Sequence, residues 1–161
     1  MKRGYDLPKK SRVEGSFPLF SANGVTDYID QYMVSGPGVV TGRSGTIGKV
    51  HFIETDYWPL NTALYVEDFH GNDERFIHYF LTVFDLTRFA SGAAVPTLNR
   101  NSLSAEEVCV PDTVDDQRRI VTHLDALTEH TNTLESETQE RLDQLTALKS
   151  SLLDAAFRGQ L

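Results

Sequence analysis

The chain is poor in several residue types, and each shortage excludes a class of structure. A single cysteine, Cys109, excludes an internal disulfide, and no Cys/His cluster has the spacing of a metal site. No apolar run approaches the roughly 18 residues that a membrane span needs, and the basic residues 1–11 lead into no apolar signal-peptide core. We therefore expect a cytoplasmic protein with no metal site and no membrane association.

Catalytic motifs are also missing. The glycine-rich residues 42–50 differ from a Walker loop, because Gly42 and Gly48 enclose five residues instead of four. A dinucleotide fingerprint ending at Gly48 needs glycine where Arg43 stands. The sequence has no HExxH helix, no G-x-S-x-G nucleophile elbow and no Asn-Pro-Pro-aromatic tetrad for methylating the amino group of a base. We expect a chain that is not itself an enzyme.

Positive charge is scarce overall but concentrated at the front. The formal net charge is −8, and this argues against a nucleic-acid partner because basic side chains that neutralise phosphates supply most non-specific DNA affinity. Residues 1–50 nevertheless hold seven basic side chains against four acidic ones. These can form a locally basic face, with acidic surface elsewhere for protein partners. Ordinary solvated lysines near a terminus explain the same pattern.

The order of apolar runs predicts a small α+β domain. Two β-branched or aromatic runs surround the glycine loop, which is typical of a strand-loop-strand unit. Apolar residues at helical spacing follow later in the domain. The predicted strands are residues 39–41, 49–53, 57–66 and 108–111, the predicted helix is residues 74–89, and the predicted loop is residues 92–101. At 161 residues the chain can bury one such core.

The C-terminal end carries the strongest pattern, a single helix at about residues 113–157. Thr113 with Asp116 predicts its capping box, and Gly159 follows its last turn. A rise of about 1.5 Å per residue makes this helix ~65 Å long, more than the preceding domain can cover. Apolar positions alternate at spacings of four and three, which predicts a coiled coil; a surface helix on its own domain is the alternative. The seam consists of Ile120, Leu124, Leu127, Thr131, Leu134, Thr138, Arg141, Leu145, Leu148, Leu152 and Ala155.

The ordered set of sequence segments resembles a known family, the DNA specificity subunits of Type I restriction-modification systems. The segments are Arg3-Gly4 with residues 15–25, residues 36–50, residues 92–98, Val110-Pro111 with residues 117–121, and residues 145–161. The resemblance implies a target recognition domain at residues 1–112, which reads one half of a bipartite DNA site. It also implies that the helix at residues 113–161 pairs antiparallel with a second helix and docks methyltransferase subunits.

This sequence carries one recognition domain and one helix, where the usual member of the family carries two of each. It therefore resembles a half-subunit. A two-fold homodimer with antiparallel helices rebuilds the missing half, and a seam that is apolar at both ends and polar in the middle suits such pairing. The dimer predicts a target with symmetric half-sites.

Loop side chains are the expected DNA contacts. Arg and Lys position a protein on phosphates, while Arg, Asn, Gln and Ser read base edges. The resemblance carries over no base-reading residues, so the candidates rest on residue type and position. They are Arg43, Ser44 and Lys49 in the glycine loop, Lys9, Lys10 and Arg12 near the front, and Asn99 and Arg100 before the last predicted strand. For the glycine loop, a plain hairpin without a ligand is the alternative.

The resemblance implies that chemistry belongs to partner subunits. The expected partners are double-stranded DNA, a DNA methyltransferase (modification) subunit that binds S-adenosylmethionine, a restriction and translocase subunit, and a second copy of this chain. No cofactor is expected in this chain itself. Two other functions fit the residues: a coiled-coil module whose head binds protein, and an inactive cassette that donates sequence for recombination.

Overall fold

The computed structural model describes residues 1–92, 95–104 and 106–159. The chain divides into two compact units, Met1–Val121 and Thr122–Leu161. The first unit holds nine strands and two α-helices in its described part and includes the first turns of the long helix; the second consists of the rest of that helix. The α+β class is confirmed. The last two residues of the predicted helical region, Gln160 and Leu161, lie outside the described residues.

The elements follow one another in a mixed order. The strands are β1 (Lys2–Arg3), β2 (Glu14–Ser21), β3 (Gly24–Ile29), β4 (Gly38–Gly42), β5 (Val50–Ile53), β6 (Trp58–Pro59), β7 (Ala63–Tyr65), β8 (Ala90–Ser91) and β9 (Thr97–Leu98). The α-helices are α1 (Glu74–Val83), α2 (Arg100–Leu103) and α3 (Val114–Phe157), and short 3₁₀ helices cover Lys9–Ser11 and Leu86–Phe89. The strand-loop-strand prediction is confirmed by β4 and β5.

Three sheets organise the first unit. An antiparallel sheet has the order β1-β7-β4-β5, a second sheet has the order β3-β2-β6, and β8 pairs with β9. In the second sheet β2 is antiparallel to β3 but parallel to β6. The turn from β2 to β3 passes through Asn23 and Gly24, where the φ of Gly24 is +108°, a left-handed value that glycine adopts without a Cβ clash.

The core lies on both faces of β4. Successive side chains of a strand point to opposite faces, so Val39 and Val40, both fully buried, belong to different clusters. Val39 packs with Leu81 of α1 and with Leu86. Val40 packs on the other side with Phe20, Tyr57 and other side chains. Every residue of β4 is buried, which fixes the two loops that leave its ends.

Three other predictions are wrong in detail. Residues 57–66 form two short strands, because a turn at residues 60–62 separates β6 from β7. The predicted helix ends at Val83, and Asp85 caps the following 3₁₀ helix through the Thr87 amide. The predicted loop at residues 92–101 contains β9 and the start of α2, while Ala93 and Ala94 lie outside the described residues.

The prediction of a buried strand at residues 108–111 is also wrong. These residues form no strand, and Val108 and Cys109 are exposed. The segment leads directly into α3 instead, and the carbonyl oxygen of Pro111 accepts a hydrogen bond from the side-chain Nε2 of Gln117 at 3.1 Å. The short apolar run at residues 108–111 is therefore the segment that leads into a helix, and not a strand.

The predicted capping box at the start of α3 is confirmed. The Thr113 hydroxyl accepts a hydrogen bond from the Asp116 amide at 3.1 Å and donates one to the Asp116 carboxylate at 2.8 Å. At the other end, Gly159 has a φ of +68° and its amide donates to the Ala156 carbonyl, which is a typical glycine stop. Among the described residues, no helix combines the length and the apolar character of a membrane span.

A buried amide fastens the first turns of α3 to α1. Gln117 is 2% exposed, and its Oε1 accepts a hydrogen bond from the Asp73 amide at 2.9 Å. Its Nε2 donates to Asn72 Oδ1 at 2.7 Å and to the Pro111 carbonyl. Asp73 is also the N-cap of α1, whose Phe76 amide it binds at 2.9 Å.

Replacing Gln117 with Ala is expected to destabilise the first unit strongly. The substitution leaves buried donors and acceptors without partners, which costs about 2–3 kcal/mol in free energy of unfolding. Urea denaturation followed by fluorescence of the buried Trp58 measures it. The matched control is Gln139→Ala, which removes the same side chain from an exposed position of α3. Equal midpoints for the two variants would contradict the anchoring role.

The imidazole of His51 on β5 is partly buried beside the core. Its ring lies 5.9 Å from that of Phe20, and its Nε2 is buried without a hydrogen-bond partner among the described residues. Burial lowers the pKa of His51, and the neighbouring Lys49 charge adds to this effect.

The lowered pKa of His51 predicts a loss of stability in acid. The unfolded chain binds the proton more tightly, so stability is complete above the ordinary histidine value of about 6.5 and falls as pH drops from there through the folded-state pKa. His51→Phe keeps an aromatic ring and removes this titration. Its free energy of unfolding should therefore fall less than that of the wild type between about pH 7 and pH 5. A His51→Phe variant whose stability falls as steeply as that of the wild type over this range would contradict the prediction.

Candidate nucleic-acid interface

The glycine loop is held by hydrogen bonds on two sides. The backbone amides of Arg43 and Ser44 both donate to the Thr62 carbonyl, at 2.8 and 3.3 Å. On the other side Ser44 forms a β-bridge with Thr97, and the Leu98 amide donates to the Arg43 carbonyl at 2.8 Å. The hydrogen-bond partners of the loop on both sides are more than 15 residues away from it in the sequence, so tertiary contacts fix the loop.

Glycine is required within this loop. Gly45 and Gly48 have φ values of +87° and +93°, which other residues adopt at a cost. At Gly42 the φ is ordinary, but a Cβ would overlap the Thr46 carbonyl oxygen. The sequence pattern thus specifies a tight backbone path that brings Arg43 next to β9.

A concavity of about 400 Å³ lies beside this loop, and we name it the arginine groove. Three arginines from distant parts of the chain line it together with two asparagines. Its residues are Arg3, Arg43, Leu64, Ser91, Thr97, Leu98, Asn99, Arg100 and Asn101. None of the described residues that line the groove is acidic. Guanidinium groups bind phosphates and guanine edges, and carboxamides pair with adenine, so the donor set suits DNA.

Each groove side chain is positioned by its own element. Arg3 ends β1, which pairs Arg3 with Leu64 of β7. The Arg43 Nη1 donates to the Asn61 carbonyl oxygen at 3.3 Å. Asn99 is the N-cap of α2, where its side chain accepts from the Asn101 amide at 3.1 Å, and Arg100 opens the helix on the exposed surface.

The predicted candidates near the front lie elsewhere. Lys9 and Lys10 are exposed on a 3₁₀ helix. The Arg12 side chain is only 17% exposed, lies 3.6 Å from the Asp27 carboxylate and donates to the Leu7 carbonyl at 3.3 Å. Lys9 and Arg12 line a second concavity of about 880 Å³. Arg12 is therefore engaged in holding the front segment against β3.

Lys49 does not line the arginine groove. Its side chain is exposed, and its carbonyl oxygen accepts a hydrogen bond from the Thr41 hydroxyl at 2.8 Å. The structure thus brings Arg43, Asn99 and Arg100 into one groove, with Ser44 next to it through Thr97. It leaves Lys49 and the front cluster outside.

Sequence reasoning missed Arg3 and Asn101 as groove residues. Arg3 had a signal, since it belongs to the basic front and precedes Gly4, where a Cβ would overlap the carbonyl oxygens of Pro59 and Leu60. The neighbouring Lys2 is engaged by Glu67 at 2.6 Å, and this hydrogen bond raises the Lys2 pKa. Asn101 had no signal apart from its place beside Asn99. Among the described residues, no group of three His, Cys, Asp or Glu side chains could hold a metal ion.

Comparison with known proteins shows the family of the chain. The family model of the Type I restriction modification DNA specificity domain matches residues 2–144. The chain belongs to this family. The curated relatives of this specificity domain include the type I restriction enzyme specificity subunit S.HindORF215P of Haemophilus influenzae, 28% identical over 127 residues that make up 75% of this chain and 33% of the relative. The EcoprrI specificity subunit of Escherichia coli is 26% identical over 119 residues, 73% of this chain and 29% of the relative. The specificity domain thus spans about a third of these relatives.

Solved structures show the same fold. A chain from a study of complex assembly and conformational transition of the type I R-M system aligns with a TM-score of 0.81 and 20% identity, over 99% of the specificity domain chain and 43% of its own length. The S subunit from M. genitalium aligns with a TM-score of 0.66 and 18% identity, over 84% of this chain and 38% of that one.

The predicted seam positions on α3 of the specificity subunit chain lie largely in solvent. Leu124 is half-buried, whereas the other large apolar seam side chains are between 38% and 64% exposed. These are Ile120, Leu127, Leu134, Leu145, Leu148 and Leu152. Leu142, Leu153 and Phe157 are exposed as well, which widens the apolar face toward the C-terminal end beyond the predicted seam.

Removing a groove arginine is expected to weaken DNA binding and its salt dependence. If Arg100→Ala loses one phosphate contact, the slope of log K against log salt concentration becomes shallower by about 0.9. Fluorescence anisotropy with a labelled duplex at several salt concentrations measures this slope. Arg119→Ala is the control, since Arg119 pairs with Asp116 at 3.0 Å outside the groove. A slope that is the same in both variants would remove Arg100 from the DNA contacts.

Proposed function

We propose that this chain is a DNA-reading half-subunit of a Type I restriction-modification system. Each chain reads one half of a bipartite double-stranded site, and two chains pair through α3 to form the complete reader. The family match over residues 2–144 carries this proposal. Residues 1–112 form the target recognition part in this scheme, and residues 113–161 form the dimerisation and docking part.

The arginine groove supports the reading role. In this proposal Arg43 and Arg100 bind phosphates or guanine edges and Asn99 binds an adenine edge; all three line the groove. Ser44 lies at the rim through its bridge to Thr97. Lys9 and Lys10 add exposed positive charge outside the groove, which favours phosphate contacts over base reading.

The apolar side chains of α3 support the pairing role. A 44-residue helix that exposes six large apolar seam residues is costly to leave in water, because each buries well only against another apolar face. The polar Thr131, Thr138 and Arg141 lie at the middle of the seam. An antiparallel two-fold pair places these middles together and the apolar ends of one helix against those of the other. Such a reader recognises half-sites related by the same two-fold symmetry.

Catalysis belongs to other subunits in this proposal. A modification subunit binds S-adenosylmethionine and methylates adenine at N6, and a restriction subunit supplies ATP-dependent translocation and cleavage. The chain recognises the DNA target sequence and provides the surface on which the modification subunit docks. The exposed residues Leu142, Leu153 and Phe157 offer apolar area beyond a two-helix seam for that docking.

Light scattering followed by a methylation assay tests the function. The chain alone should have a mass near twice 18.0 kDa, and adding the cognate modification subunit and genomic DNA should give a larger complex that methylates adenine. A dimer that binds protein but shows no salt-sensitive DNA affinity would identify an interaction module instead. A monomer that recruits no methyltransferase would identify an inactive cassette.

Charges placed in the seam are expected to separate the dimer. Leu145→Glu combined with Leu152→Glu introduces four carboxylates into the paired helices and should lower the mass measured by light scattering to about 18.0 kDa. The control is Ser150→Glu on the opposite, exposed face of the same turns, which should leave the mass unchanged. A double variant that keeps the dimer mass would place the pairing surface elsewhere.

A further inference from the structure

We propose that Asp6 is a positioning residue of the arginine groove. It holds Arg3 directly and Arg43 through Asn61, and so sets the geometry with which the groove distinguishes one DNA sequence from another. This inference rests on the proposed DNA-reading function and assigns a role to a residue that does not itself line the groove.

Asp6 receives hydrogen bonds from two parts of the chain. The Arg3 Nη2 lies 3.2 Å from Asp6 Oδ2 and 3.4 Å from Oδ1, while the Asn61 Nδ2 donates to Oδ1. Both carboxylate oxygens are therefore used. One partner is three residues away, and the other is 55 residues away in the turn between β6 and β7.

The same turn holds Arg43. The carbonyl oxygen of Asn61 accepts from the Arg43 Nη1 at 3.3 Å, and the carbonyl of Thr62 accepts from the Arg43 backbone amide at 2.8 Å. Movement of this turn would displace the Arg43 guanidinium. A continuous set of hydrogen bonds thus runs from Arg3 through Asp6 and Asn61 to Arg43, and connects two of the three groove arginines.

This network is too exposed to serve mainly for stability. The side chains of Arg3 and Asp6 are 47% and 63% exposed, and exposed ion pairs contribute little to folding. A carboxylate beside the arginine groove also repels the phosphates of DNA. The arrangement is understandable if orientation is its purpose, because a guanidinium fixed in advance loses less freedom when it forms its paired hydrogen bonds to a base.

Positioning and simple charge make different predictions. If Asp6 acted only through its charge, removing it would tighten binding to every duplex by the same factor. If it positions the arginines, its removal weakens the preferred duplex relative to others, because specificity is a difference between two affinities. The ratio of the two dissociation constants is therefore the decisive quantity.

The experiment uses the full chain and selection from a randomised duplex library at fixed salt. The dissociation constants of the wild type and variants are then measured for the selected duplex and for a scrambled duplex of equal composition. The ratio is the dissociation constant for the scrambled duplex divided by that for the selected duplex. Asp6→Ala should lower this ratio about tenfold while binding the scrambled duplex as tightly as the wild type or more tightly. Asn61→Ala should lower the ratio without a change in charge, so its salt slope should match the wild type.

Asp30→Ala is the control for charge. Asp30 is an exposed carboxylate outside the groove, and its removal changes the net charge by the same amount without affecting the ratio. Circular dichroism checks folding, and Asn61→Ala decides the outcome if Asp6→Ala does not fold. A ratio that stays at the wild-type value in the folded variants overturns the role of Asp6 alone. A wild type that selects no sequence overturns the reading function itself.

Discussion

The first unit depends on the hydrogen bonds of the Gln117 side-chain amide. Its three hydrogen bonds join the start of α3 to Asn72, Asp73 and Pro111, in a place that water does not reach. Asp73 in turn caps α1, and α1 packs through Leu81 on Val39 of β4. The glycine loop leaves the end of β4, so a polar contact near the long helix helps to fix the position of Arg43 through packed elements.

The arginine groove is assembled from segments that are far apart in the chain. Arg3 comes from the first strand, Arg43 from the loop after β4, and Arg100 from the start of α2. Each segment is held by backbone hydrogen bonds: β1 pairs with β7, and the glycine loop is bonded to the turn after β6 and to β9. A rigid backbone with long polar side chains at its edge is a suitable frame for sequences of varied specificity, since loop side chains can change without loss of the core.

The parts of the fold that sequence predicts are those governed by local rules. The capping box of α3 and the strands around the glycine loop depend on neighbours within a few residues. The break in residues 57–66 and the exposed segment at residues 108–111 depend on contacts with distant elements, which no local pattern contains. For the same reason the sequence does not show that the Arg12 side chain lies beside the Asp27 carboxylate. Arg3 belongs to the basic front of the sequence, but its place beside Arg43 follows from the pairing of β1 with β7, which no local pattern shows.

Charge distribution reconciles the acidic composition with a DNA-reading role. Long-range attraction to DNA depends on the whole surface, and a net charge of −8 opposes it. Affinity at contact depends on the groove, which three arginines line and which has no acidic residue among its described lining residues. Salt screening limits the range of the repulsion from the surrounding acidic charges to about 8 Å at physiological ionic strength. The groove therefore still attracts phosphates at short range. A reader of this kind gains little from non-specific attachment and relies on correct contacts, and this requires its arginines to be held in place.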